Sequence, residues 1–140
     1  MDEKVYNLQR FIDAQKTEYE TALSEIRSGG KRSHWIWYIF PQQKGLGYSY
    51  NSEYYGLDGT GEARAYLAHP LLGARLREIS GALLEHKGRT TIRRLMGSQI
   101  DVLKLHTCMK LFDSISPNDI FAEVLEVFFA DDAKQANNNA

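Results

Sequence analysis

Between Lys4 and Ser28 the apolar residues Val5, Leu8, Phe11, Ile12, Tyr19, Ala22, Leu23 and Ile26 recur at steps of three and four. That period gathers them on one stripe of a helix, which must be buried against further secondary structure. Gly29-Gly30 ends the pattern. The rest of the chain supplies the partners. "HPLLGARLREISGALLEH" sets Pro70 in a first helical turn and Leu71, Leu72, Leu76, Ile79 and Leu83 along one side. "SQID", Ser98 to Asp101, resembles a capping box with Asp in place of Glu and opens a helix through Val102, Leu105, Met109 and Phe112. "SPND", Ser116 to Asp119, repeats the device with Pro117 at the first helical position, ahead of Phe121, Val124, Leu125 and Phe128. Shorter helices are expected over Gly61 to Ala68, capped by Thr60, and over Thr91 to Met96. Six or seven helices with short connections predict an all-α fold. One domain is expected over 1–131, with a disordered tail over 132–140 that has little to bury.

The stretch "KRSHWIWYIFPQ", Lys31 to Gln42, holds both tryptophans of the 140 residues. Ser33 can cap two helical turns ending at Pro41, whose ring disfavours a helical residue before it. A strand is the alternative, because Trp, Ile, Tyr and Phe also favour strands. On a helix Trp35 and Trp37 diverge by about 200°; on a strand they share a face. Either way the segment is apolar on both sides, as a wall between core and pocket would be. Lys31, Arg32, Ser33 and His34, with the free amides of a starting helix, suggest a small anion site. From Gln42 to Gly61, "QQKGLGYSYNSEYYGLDGTG" has no helical period and reads as one long structured loop, a length uncommon in compact domains unless functional.

Several classes of function are disfavoured. A net charge of -1 gives no drive toward nucleic acid, so anion binding must be local. No apolar run approaches the roughly 20 residues of a membrane helix, and the acidic start "MDEKV" is unlike a signal peptide; a cytoplasmic location is expected. Cys108 is the single cysteine and reads as a buried small hydrophobe. His34, His69, His86 and His106 lack metal-ligand spacing, and neither a phosphate loop nor a nucleophile elbow is present, so no metal or cofactor is implied.

The segments "RFIDAQ", "IRSGGKRSHWIWYIFPQQKGLGYS", "EARAYLAHPLLGARL", "GSQIDVLKLHTCMKLF" and "FAEVLEVFF" closely resemble the bacterial domain of unknown function 1810 family. The resemblance covers nearly the whole chain. It implies a compact right-handed superhelix of helices and no established activity. It carries Ser33, His34, Trp35, Trp37, Phe40, Pro41 and Gln42, then Ser49 and Ser52, and later Glu62, His69, Arg75, Gly97, Asp101 and Lys104. Where the family commonly has hydroxyls around the methionine, this chain has Thr107, Cys108 and Lys110.

These residues suggest a pocket built by Lys31 to Gln42, by the loop with Ser49, Ser52 and Tyr54, and by the helix from Ser98. An aromatic platform, an anion cradle and a few hydroxyls and carboxylates suit a phosphorylated, nucleotide-like or ADP-ribose-like ligand. A hydrolytic step would use Asp101, Glu62 or His34 to position water. Asp101 and Lys104 are spaced to pair with each other, and Glu62 and His69 fall on one side of their helix. The alternative is a protein-interaction module in which Trp35, Tyr48, Tyr50, Tyr54 and Tyr55 form an aromatic patch.

Overall fold

The first apolar stripe becomes helix α1, Gln9–Arg27, which buries Phe11, Tyr19, Ala22, Leu23 and Ile26. It stops where Gly29 takes φ 105°, a left-handed conformation that costs glycine nothing, and Gly30 N–H closes the end onto the Glu25 carbonyl. The computed structural model describes the backbone of residues 5–138 and the side chains of residues 5–130. Seven more helices follow among the described residues: α2 (Ile36–Ile39), α3 (Tyr50–Tyr54), α4 (Gly59–Ala68), α5 (Pro70–Leu84), α6 (Ile92–Met96), α7 (Gln99–Ile115) and α8 (Ile120–Asn138). Strand structure in this region is limited to one isolated bridge between Gln43 and Leu57. The fold is all-α. The expected tail over 132–140 falls where side chains lie outside the described residues, although the α8 backbone runs to Asn138.

Caps account for the main boundaries. His69 Nδ1 accepts from the Leu71 and Leu72 amides at the start of α5, and Ser98 accepts from Asp101 N–H at the start of α7. Thr91 caps α6, which ends at Gly97 with φ 84°. Three expectations are corrected. Ser33 caps nothing: α2 begins after Trp35 and is a single turn. Asp58, not Thr60, stands at the N-cap of α4. Pro117 lies in a turn before α8, where Asn118 has φ 64° and Asp119 accepts from the Ile120 amide, the Ser116 hydroxyl and Arg77. There the serine and aspartate shape a corner and tie it to α5, so the helix starts later.

Helix α5 packs on α1, α4 and α8, while α7 packs on α4, α6 and α8. A chain of ring contacts runs through the centre. Phe11 meets Tyr66 edge-on at 5.0 Å, Tyr66 meets Phe112 at 5.8 Å, and Phe112 meets Phe121 at 5.7 Å. All four side chains are fully buried, so α1, α4, α7 and α8 each insert a ring into one core. No helix among the described residues is long and apolar enough to cross a membrane.

Candidate functional site

The turn after α1 does bind an anion, and the anion is part of the chain. Glu25 Oε1 accepts from the Arg32 amide at 2.8 Å, the Ser33 amide at 2.9 Å and the Trp35 indole N–H at 3.0 Å, while Oε2 accepts from the Ser33 hydroxyl at 2.6 Å. Partial burial alone would push this carboxyl up, but the four donors outweigh it and hold its pKa down to about 2. The cradle read from Arg32 and Ser33 is therefore already filled. Arg32 and His34 are exposed.

Lys31 turns inward. Its amide donates to the Leu95 carbonyl, and Gly97 lies so close that a Cβ there would sit 3.0 Å from the Lys31 carbonyl oxygen. The ammonium reaches Asp101 Oδ2 at 2.9 Å and lies 5.1 Å from the Trp35 ring centre. On the other side of Asp101, Lys104 Nζ is 3.5 Å from Oδ1 and 3.9 Å above the Trp37 ring. One carboxylate thus fixes two cations, each set over an indole. Trp35 is fully buried; Trp37 is only partly so and opens onto a cavity.

The opposite wall is the 42–58 loop, and α1 holds it. Arg10 donates to both carboxylate oxygens of Glu62, at 2.7 and 3.1 Å, and to the Tyr54 and Gly56 carbonyls at 2.8 and 3.0 Å. Glu62 Oε1 also accepts from the Asp58 amide. The loop ends are joined by Lys44 N–H to the Leu57 carbonyl and Leu57 N–H to the Gln42 carbonyl. A Cβ on Gly56 would lie 2.6 Å from the Ser52 carbonyl oxygen, so only glycine lets the chain fold back there. Within the loop, Ser49 accepts from the Ser52 amide and caps α3, a helix the aperiodic sequence does not announce.

Between this loop and α7 lies a cavity of about 350 Å³, lined from the loop by Gln42, Leu46, Gly47, Ser52 and Tyr55, from α7 by Ile100, Leu103, Lys104 and Thr107, and from α2 by Trp37. Among the described residues, Lys104 is the one charged side chain in that lining. Burial first, then the neighbouring Tyr54 and Tyr50, pushes the Tyr55 phenol up, so it stays neutral. Gln42 Nε2 is buried without a hydrogen-bond partner among the described residues, a donor whose burial costs about 1–3 kcal/mol until something accepts from it.

Of the residues singled out by sequence, Trp37, Gln42, Ser52 and Lys104 meet in the cavity, and Asp101 supports them from behind Lys104. Lys31, Arg32, Ser33, His34, Trp35, Ser49, Tyr54 and Glu62 are absent from the lining. Glu62 and His69 do not act as a pair: the first is buried against Arg10 and the second is a cap. Leu46, Ile100 and Leu103 went unpredicted. Their signal is nevertheless present, since Ile100, Leu103 and Thr107 follow a stripe of α7 offset from the core stripe of Val102, Leu105, Met109 and Phe112. No group of three or more His, Cys, Asp or Glu able to hold a metal occurs among the described residues.

The family described as "Protein of unknown function (DUF1810)" matches residues 5–140. The chain belongs to this family. Among solved structures, the conserved hypothetical protein Rv1873 from Mycobacterium tuberculosis is 40% identical, with 89% of each chain covered and a TM-score of 0.85. No curated protein matches. The DUF1810 fold is thus shared at high similarity with a solved relative, and neither comparison names a ligand.

Proposed function

We propose that this domain binds a small anionic ligand with a planar or apolar body in the cavity between the 42–58 loop and α7. The observation that carries the reading is the Lys104 ammonium, the one charged group of the lining among the described residues, beside the half-buried Trp37 and the Gln42 amide nitrogen, which has no partner among them. Phosphorylated, nucleotide-like and ADP-ribose-like molecules belong to that broad class. Binding is favoured over hydrolysis because the candidate water-positioning groups are engaged elsewhere: Asp101 by two lysines, Glu62 by Arg10, while His34 is exposed outside the lining.

A thermal-shift screen of aromatic carboxylates, nucleotides and ADP-ribose tests this, with Trp37→Ala and Lys104→Gln as controls. A compound present at a hundred times its Kd should add about 2.7 kcal/mol to the stability of the parent and little to that of either variant. Absence of any variant-sensitive stabilisation would refute the reading. The interaction-module alternative draws on the exposure of Tyr48 and Tyr50, whose neighbour Tyr54 stacks on Tyr50 at 5.6 Å. Replacing Tyr48 and Tyr50 by Ser should leave the thermal-shift responses intact if the cavity is the site.

A further inference from the structure

Resting on that binding reading, we infer that the cavity selects a singly charged carboxylate on an apolar body and discriminates against phosphomonoesters and polyphosphates. The argument is one of charge and of donors already spent. Lys31, Asp101 and Lys104 form one coupled group whose net charge is a single positive. A monoanion beside Lys104 neutralises it. A dianion leaves one negative charge uncompensated in a half-enclosed site, where an unpaired charge is costly.

Phosphate sites normally add backbone amides or a second cation. Here the cations Lys31 and Arg10 and the amides of the turn after α1 are committed. The Arg32 and Ser33 amides are held by Glu25, and the Lys31 ammonium by Asp101. Arg10 spends its guanidinium on Glu62 and on the Asn7, Tyr54 and Gly56 carbonyls. What remains in the lining among the described residues is one cation, Lys104, beside neutral polar groups that include the Gln43 amide and the Tyr55 phenol, so the site balances a single negative charge.

Most of the mouth is apolar. Leu46, Ile100 and Leu103 are 61%, 65% and 57% exposed around the mouth, and an inserted hydrocarbon or ring would cover them together with Trp37. Apolar area removed from water in this way would supply most of the affinity, with the carboxylate fixing orientation.

The test uses probes that share one body and differ in charge: 2-naphthoate, 2-naphthyl phosphate and neutral 2-naphthylmethanol, with ADP-ribose alongside, titrated calorimetrically into the intact protein. At pH 8, 2-naphthoate should bind at least about tenfold more tightly than the phosphate or the alcohol. Lowering the pH to 5 converts the phosphate largely to its monoanion, since its second pKa is about 6, and should close the gap with no change to the protein sequence. Lys104→Gln should bring 2-naphthoate down to the level of the alcohol. Asp101→Asn, which adds one positive charge, should raise the affinity for the phosphate relative to 2-naphthoate. Tighter binding of the phosphate or ADP-ribose by the parent at pH 8 would overturn the inference and leave the binding reading standing. Binding by none of the probes would overturn both.

Discussion

Trp35 and Trp37 stand two residues apart, each under a lysine, and both lysines draw on Asp101. The Trp35 arrangement is closed. Its indole N–H is bonded to Glu25, its ring is fully buried, and the Lys31 side chain is only 6% exposed. The Trp37 arrangement is open, with its indole and Lys104 lining a cavity. The same cation-over-indole unit thus serves two ends. Where every polar atom is satisfied internally it stabilises the fold, and where the surroundings leave room it presents a cation and a ring to solvent.

The contrast breaks first at the indoles. Trp35→Ala should destabilise the domain by about 3–5 kcal/mol, the usual range for emptying a large core site, whereas Trp37→Ala should cost clearly less and abolish probe binding. Chemical denaturation checks the first half of that statement and calorimetry the second. At the lysines the same division should hold on a smaller scale. Lys31→Met strips a largely buried partner from Asp101 and should cost about 2 kcal/mol, while Lys104→Gln should stay within about 0.5 kcal/mol and affect binding. Equal losses from the two lysine variants would show that the open pair is as structural as the closed one.

Glu25 sharpens the comparison through pH. Its folded pKa of about 2 lies below its ordinary 4.5, so its stabilisation is fully present above about pH 4.5 and fades as the pH falls toward 2. Glu25→Gln should lower the melting temperature at pH 7 and flatten its decline between pH 4.5 and 2. Part of that decline will survive in the variant, because Asp119, held down to about 2 chiefly by its hydrogen bond to Arg77, titrates in the same window.

The helical frame was legible because it rests on local periodicity and on caps one to three residues from what they cap: His69 before Leu71, Ser98 before Asp101, Gly97 after Met96. Helix α3 escaped because five residues nucleated by Ser49 leave no amphipathic record. The site was legible in part. Trp37, Gln42, Ser52 and Lys104 were marked by residue type, but pairing decided the others. The Ser33 partner lies eight residues upstream, and the Glu62 partner lies 52 residues away at Arg10. No spacing rule connects those positions before the chain has folded. Ile100 and Leu103 were overlooked for a different reason: apolar residues suggest core until a fold shows that their side of the helix faces outward, and Leu46 lies in a loop whose course the sequence does not give.

Glu25 in its cradle is, in effect, a receptor already holding a tethered ligand. A tethered group competes at an effective concentration of order millimolar or higher, so a free carboxylate at ordinary levels would not displace it. The Arg32 and Ser33 amides of the turn are thereby closed to anions from solution. In Glu25→Ala the same turn should become a receptor without its occupant. Millimolar formate or acetate should then recover part of the lost stability, a rescue that the intact protein has no vacancy to show.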